Sequence, residues 1–469
     1  MIHCYRQNGL NIVLDTASGS VHCVDDIAFD AIQIYDNCGR ERTISLLSEK
    51  YAELTDTGVL ELITEIEELK NRGKLYSEDT WEQFSAKARG TTLKALCLNV
   101  SHMCNMSCGY CFAGKGEYSG KAKLMPLETG MRALDFLAAN SGDHKNLYID
   151  FFGGEPLLNW DVVRGVVRYG REIERRGSKR FLFTLTTNGL LIDDGVIEFV
   201  NREMSNVVLS LDGRREVNDA SRKLPDGSGT YEAVLPGFRR LVQARGGRNY
   251  YIRGTYTNRN IDFTEDILHL ADLGFTELSM EPVVPAPMRT SADNAEDEPS
   301  YRLTAEHLPE INRQYELLAA EMLERKKEGR GFTFYHFMLD LKSGPCLYKR
   351  LAGCGVGTEY LAVTPDGELY PCHQFVGNQE FLMGDIFSGI SNISLQDEFR
   401  RCTVYARAEC LGCWARMYCS GGCAAGAYNS SGSIAGVYGF GCEVFKKRIE
   451  CAIMMKAAEA SSNNISTEG

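Results

Sequence analysis

Eight residues, Cys104-Asn105-Met106-Ser107-Cys108-Gly109-Tyr110-Cys111, place three thiols at the spacing C-x3-C-x2-C directly behind the apolar run 93–100. No further cysteine follows until Cys346, and nine of the chain's 17 then lie between Cys346 and Cys442. Disulfides are rare in reducing compartments, so thiols gathered in this way point to metal or cluster ligation. Three thiolates can hold three irons of a [4Fe-4S] cube and leave the fourth iron open. Zinc wants four ligands, commonly as paired C-x2-C units. Only one such pair is present here, and His102 stands too close in sequence to be an evident fourth ligand. The cysteine-free stretch between the two thiol-rich regions is then the housing for whatever chemistry the open iron begins.

That stretch alternates between strand and helix periods. Strands are expected at Leu93–Val100, Leu147–Phe152, Phe181–Thr187, Asn206–Ser210, Tyr251–Thr257 and Glu277–Glu281. Helices are expected between them at Leu127–Asn140, Trp160–Arg176, Asp193–Arg202, Tyr231–Arg245 and Phe263–Leu273. Such alternation implies parallel strands with helical crossovers, and in barrels and open α/β sheets the chemistry sits at the carboxyl ends of the strands. Three segments fall at those ends: Phe152-Gly153-Gly154-Glu155-Pro156, Thr186-Thr187-Asn188-Gly189 and Ser210-Leu211-Asp212-Gly213. Glycines there let the backbone approach a ligand closely, and Glu155 can accept hydrogen bonds from an ammonium group.

The flanks read differently. Residues 1–80 begin with two alternating segments and turns at Gly9 and Gly19. A helix capped by Asp26 follows, then helical spacing over Ile44–Tyr51 and Val59–Arg72, stopped by Gly73. This order suggests a winged-helix-like α+β module. Glu61, Glu65, Glu67 and Glu68 on its last helix, and a net charge of -12 for the chain, speak against nucleic acid. The favoured reading is a module that accepts an extended peptide on a strand edge; the plainer one is a packing domain without a ligand. Residues 81–92 read as a linker, 93–300 as the α/β body with an exposed loop over 288–300, and 301–345 as a bridging helical region with Pro309 in the first turn. Residues 346–455 are cysteine-rich with little room for a hydrophobic core, so bound metal is expected to support them. Residues 456–469 read as a polar, disordered tail. No apolar run reaches the roughly 18 residues of a membrane span. The N-terminus lacks the basic and apolar regions of a signal peptide, so a cytoplasmic location is expected.

The C-x3-C-x2-C triad after the first strand of a βα series, with Tyr110 beside the last cysteine, resembles the signature of the radical S-adenosylmethionine (SAM) superfamily. The resemblance implies a partial (β/α)6 TIM barrel, a [4Fe-4S] cluster on Cys104, Cys108 and Cys111, and SAM bound at its open iron. It also implies that Gly153, Gly154, Glu155 and Pro156 hold the methionine amino group. Thr187, Asn188, Ser210 and Asp212 then approach the ribose and methionine parts, and Arg253 clamps the SAM carboxylate. The C-terminal pattern, Cys354-x12-Gly367-x4-Cys372, then Cys410-x2-Cys413-x5-Cys419-x3-Cys423 and Cys442, resembles the seven-cysteine SPASM domain with two auxiliary clusters. By that resemblance Cys410, Cys413, Cys419 and Cys442 hold the far cluster, and Cys354, Cys372 and Cys423 the near one. Either Cys346 completes the near cluster, or its open iron takes a substrate thiol.

The N-terminal segments Ile12-Val13-Leu14-Asp15, Gly19-Ser20-Val21-His22 and Val24-Asp25-Asp26, with Gly353–Pro365, are most similar to the SCIFF-peptide maturases, which form thioethers. The resemblance implies a peptide maturase that cross-links a cysteine-rich ribosomal precursor peptide through a 5′-deoxyadenosyl radical. Its leader would bind the N-terminal module, and a flavodoxin or ferredoxin would donate electrons. Two other readings stand beside it: a sulfatase-maturating type oxidase of a protein Cys or Ser, and a non-catalytic electron-transfer protein with several clusters.

Overall fold

The computed structural model describes residues 1–87, 90, 92–114, 116–118, 120, 122–285, 301–341 and 347–465. Cys346 and the loop expected over 288–300 lie outside them.

Three short alternating segments form an antiparallel sheet: β1 (Ile2–Gln7), β2 (Leu10–Asp15) and β3 (Ser20–Val24), in that spatial order. Helices α1 (Asp26–Lys50) and α2 (Asp56–Asn71) follow, and α1 is broken at Gly39, whose φ of 70° leaves helical geometry. The break turns α1 into two pieces, giving the three helical segments expected. The cap lies one residue earlier than expected: the Asp25 carboxylate, not that of Asp26, accepts from the Ala28 N–H at 2.8 Å. A capping oxygen reaches the N–H of the second or third helical residue, and Asp26 already sits in the first turn. Val13, Phe29, Ile32, Leu47, Val59, Ile63 and Ile66 give this unit a core of its own.

The central body runs β4 (Ala95–Ser101), α3 (Leu127–Asn140), β5 (Asn146–Gly153), α4 (Trp160–Arg176), β6 (Arg180–Thr187), α5 (Asp194–Glu203), β7 (Met204–Ser210), α6 (Arg215–Ser221), α7 (Tyr231–Ala244), β8 (Tyr250–Tyr256), α8 (Phe263–Asp272) and β9 (Glu277–Pro282). Six parallel strands lie side by side in chain order, as a partial barrel of the radical SAM type requires. On β5, Leu147, Ile149 and Phe151 are fully buried, while Tyr148, Asp150 and Phe152 are partly open. The period of two thus packs one face of the strand under the helices and turns the other into the lumen.

The C-terminal third comprises α9 (Leu308–Lys327), β10 (Thr333–Phe334), α10 (Leu347–Ala352), β11 (Tyr360–Val363), β12 (Glu368–Tyr370), β13 (Gly384–Asp385), β14 (Gly389–Ile390), α11 (Ile393–Arg401), α12 (Ala408–Leu411), α13 (Arg416–Cys419), α14 (Ala424–Ser431) and α15 (Gly439–Ile465). It is not a separate unit held by thiols alone. β11 pairs in parallel with β4, and β12 to β14 continue the same sheet antiparallel. An edge as apolar as β4 would otherwise leave buried backbone groups unpaired. Leu361, Val363, Leu369, Tyr370 and Phe399 are fully buried here, so the expectation of little hydrophobic core is corrected.

Two boundaries also shift. The expected linker is an anchor: the Trp81 indole donates to the Ala17 carbonyl at 3.1 Å and packs with Leu351, Val404 and Met417. The expected tail from 456 is instead helical to Ile465, because α15 packs along α9 and the Lys326–Glu459 ion pair at 2.7 Å ties the two together. The N-terminal sheet is docked on α15 and its neighbours by His3, stacked 3.8 Å from Trp414, and by the Tyr5 hydroxyl on the Glu450 carbonyl. Among the described residues no helix is long and apolar enough to cross a membrane.

Candidate cluster and cofactor site

The triad loop leaves the end of β4 and is fastened at both sides. Ser107 and Gly109 donate backbone N–H groups to the carbonyls of Lys223 and Ser221. On the other side, Gly154 donates to Ser101 and Glu155 to Met103. A Cβ at Gly154 would overlap the Met103 carbonyl, and one at Gly153, whose φ is 122°, would overlap that of Ser101. Only glycines allow β5 to end this close to the loop. Burial, the larger effect, pushes Cys104 up to about 11 and Cys108 to about 12; Cys111 adds to both, and Cys104 to Cys108. Such thiols release their protons when iron takes their place. Among the described residues no three His, Cys, Asp or Glu side chains are gathered tightly enough for a single metal ion. The thiols around a four-iron cube stand farther apart than that.

Glu155 is 1% exposed and has no cationic partner among the described residues. Its oxygens accept from the Leu157 N–H at 2.9 Å, the Thr187 hydroxyl at 2.8 Å and the Asn188 N–H at 2.8 Å. Burial still pushes its pKa up to about 7. A buried carboxylate in this state fits an ammonium group, which would neutralise it. Asn188 extends the contact to the loop, donating to Asn105 Oδ1 at 2.8 Å and lying 3.6 Å from Cys104 Sγ. These residues therefore suit the methionine end of SAM beside a triad cluster.

Asp212 makes contacts of its own within the site. It is 1% exposed, accepts the Tyr110 hydroxyl at 2.6 Å and the Thr255 N–H at 3.0 Å, and pairs with Arg222 Nε at 3.0 Å. It thus holds the loop's tyrosine in place. Arg222 lies over the Tyr110 ring, 5.6 Å from its centre, and its charge acts on Cys108. Sequence reasoning missed this cation, which stands unmarked in a charged turn ten residues after Asp212. It missed Tyr301 as well, whose hydroxyl fills the space that a side chain at Gly109 would need. Ser210 and Arg253 are register partners on β7 and β8. Arg253 acts on Glu281, His336 and His373. Pro156 starts the 3-10 turn after Glu155 and is buried.

The C-terminal thiols sort into two groups. Cys372 feels Cys423 and Cys354, and Cys423 feels Cys354. Cys413 and Cys442 act on Cys410 and Cys419, Cys410 acts on Cys419, and Cys413 acts on Cys442. The first group adjoins the lumen: Cys372 also feels Cys97 on β4, and Cys423 feels Glu281 on β9. The His373 ring lies 4.8 Å from Phe152 and 5.6 Å from Phe112, the residue after Cys111. Burial works against the charge of Glu281, but His336, Arg448 and Arg253 hold its carboxyl at about 2.

Comparison with known proteins bears on this geometry. The profile of the Radical SAM superfamily matches residues 98–271, and that of SPASM, an iron-sulfur cluster-binding domain, matches residues 354–414. The radical SAM cyclopropyl synthase TigE of Paramaledivibacter caminithermalis is 26% identical over 43% of this chain, and the chain spans 44% of its length. The cysteine-type anaerobic sulfatase-maturating enzyme of Clostridium novyi is 24% identical over 69% of this chain and 85% of its own. Among solved structures, anSMEcpe with bound AdoMet superposes with a TM-score of 0.65 at 22% identity, covering 79% of this chain and 95% of that one. Streptococcus suis SuiB bound to precursor peptide SuiA gives 0.52 at 15% identity, over 93% and 97% of the two chains. The chain thus carries a radical SAM core and a SPASM domain, which imply [4Fe-4S] clusters and SAM.

Proposed function

We propose that this chain is a radical SAM peptide maturase that joins cysteine sulfur to carbon in a cysteine-rich ribosomal precursor peptide. The observation that carries the reading is the second thiol group: Cys372 neighbours Cys97 on β4, Cys423 neighbours Glu281 on β9, and the His373 ring after Cys372 meets the Phe112 ring after Cys111. Cys104, Cys108 and Cys111 would hold one cluster. Cys354, Cys372 and Cys423 would hold a second, and Cys410, Cys413, Cys419 and Cys442 a third. When bound, these groups supply a 5′-deoxyadenosyl radical that takes a hydrogen atom from the peptide, and an acceptor for the electron released as sulfur bonds to carbon.

The chain's own residues do the rest. Glu155 orients the SAM ammonium, and the Asp212–Arg222 pair holds Tyr110 and the loop. The aromatic contacts of Phe152 and Phe112 with His373 narrow the lumen and limit the access of water. The leader adds to the sheet at β3, an outer strand of the three. A flavodoxin or ferredoxin delivers the electron that starts each turnover. The precursor peptide that SuiB binds supports a peptide substrate for this architecture.

The test is anaerobic: reconstituted protein, reductant, SAM and a precursor peptide, followed by mass spectrometry. The reading expects 5′-deoxyadenosine and a peptide lighter by two hydrogens per cross-link, with cysteines that no longer alkylate. Deoxyadenosine formed while every cysteine stays alkylatable would overturn it. A second reading, sulfatase-type oxidation of a Cys or Ser in a protein, draws on the similarity to the sulfatase-maturating enzymes, which spans 69% of the chain. It predicts turnover on a sulfatase-derived peptide that survives removal of residues 1–80.

A further inference from the structure

The lumen holds a carboxylate that the cofactor site leaves unused. Asp150 stands on β5, three residues before Gly153, on the strand face that also presents Phe152. Its register neighbours are Cys97 on β4 and Thr184 on β6. The Thr184 hydroxyl donates to it, and no cationic side chain acts on it among the described residues. Burial in these surroundings pushes its pKa up to about 6.

On the other side, Tyr360 of β11 hydrogen-bonds the Cys97 thiol and lies 3.3 Å from His373 Nδ1. Cys97 feels the Asp150 charge, and Cys372 in turn feels Cys97. Asp150, Cys97 and Cys372 therefore form a chain of neighbours from the strand below Glu155 to the near thiol group. Withdrawing most of a carboxylate from water beside a hydroxyl but no cation costs stability, and an apolar side chain here would avoid that cost. Glu281, a second acid of the lumen, is committed to Arg448 at 3.1 Å and stays ionised. Of Asp150 and Glu281, Asp150 is the one left able to take up a proton.

We propose that Asp150 is a catalytic base of the maturation reaction: its carboxylate accepts the proton of the substrate cysteine thiol on the way to the carbon–sulfur bond. The S–H bond breaks, an O–H bond forms on Asp150, and the electron pair stays on sulfur. The transfer itself needs no oxidant. Cys97 and Tyr360, the titratable groups packed against Asp150, are pushed far above neutral by burial and do not compete as bases. This assignment rests on the thioether reading above.

The test compares wild type, Asp150→Asn and Asp150→Glu as fully reconstituted enzymes, with the same precursor peptide. Peptide affinity, iron content, deoxyadenosine and cross-linked peptide are measured together. Asp150→Asn keeps iron, peptide affinity and SAM cleavage near wild type, while cross-linking per deoxyadenosine falls by about a hundredfold. Asp150→Glu restores part of it. Wild-type cross-linking in Asp150→Asn overturns the proposal, and so does a parallel fall in iron, SAM cleavage and cross-linking, which marks a structural role. A wild-type enzyme that cleaves SAM but forms no thioether overturns the thioether reading itself, and the base with it.

Discussion

The Phe112 and His373 rings lie 5.6 Å apart, and each residue directly follows a cysteine, Cys111 in one case and Cys372 in the other. Two thiol-bearing loops, separated in sequence by the whole barrel, therefore meet through one aromatic contact. Such a pair contributes about 0.5–1.5 kcal/mol. Phe112→Ala is expected to lower the melting temperature by a few degrees at most. Its larger effect is a lower ratio of cross-linked peptide to deoxyadenosine, because the two loops no longer share a fixed spacing. Product and deoxyadenosine measured in the same reaction check this.

Glu155 is the buried acid against which an ammonium group fits. Charge-assisted hydrogen bonds contribute about 1.5–3 kcal/mol, so Glu155→Gln is expected to weaken SAM binding by roughly ten- to a hundredfold. Iron content should not change, since Glu155 carries no sulfur. Equilibrium dialysis with SAM, beside an iron assay, separates the two quantities.

Arg222 and Asp212 form a buried pair beneath Tyr110. Removing one member of such a pair leaves the other uncompensated, at a cost of about 3–5 kcal/mol. Arg222→Met should therefore lower the melting temperature clearly more than Phe112→Ala does, and loosen the triad loop so that iron is lost on gel filtration. An Asp212→Asn/Arg222→Met double variant should recover part of the stability.

Asp150 carries a pH signature in stability. Its pKa in the fold, about 6, is above the ordinary aspartate value of 3.8, so between these values the folded state holds a proton that the unfolded chain has released. Stability then falls as pH rises through that window and levels off above it. Asp150→Asn lacks this dependence, so its melting temperature relative to wild type should rise from pH 4 to pH 6 and stay flat beyond, within about a unit. Melting curves across that range decide the matter.

Leader binding through β3 predicts a backbone effect. Alternate residues of an outer strand point their N–H groups away from the sheet, so proline at one of two neighbours, Val21 or His22, should abolish leader binding, as read by fluorescence anisotropy. SAM cleavage without peptide should be unaffected by either change.

Much of this protein is legible in its sequence. The spacing of Cys104, Cys108 and Cys111, the glycines before Glu155 and the alternation of strand and helix periods are local patterns, and local geometry obeys them. β5 to β9 start and end within two residues of their expected limits, because a buried parallel strand leaves a continuous apolar mark. The Asp25 cap and the helical stretch past residue 456 were harder to read, since each depends on the turn or partner that finally holds it.

Other features depend on residues far apart in the chain. The union of β11 with β4 joins segments more than 250 residues apart, and neither strand's composition names its partner. The sorting of the auxiliary thiols into two groups was available from resemblance, but their position against Cys97 and Glu281 was not. Arg222 looks like any surface arginine until Asp212 and Tyr110 are brought beneath it. Asp150 looks like a polar residue in a strand until Cys97, Thr184 and Tyr360 close around it. The thiol spacing and the strand-end glycines could be read from the sequence alone, because they are short-range properties. Only the tertiary structure decided which charged groups face the lumen and which are neutralised, because burial and pairing are set by side chains that the barrel gathers from every strand.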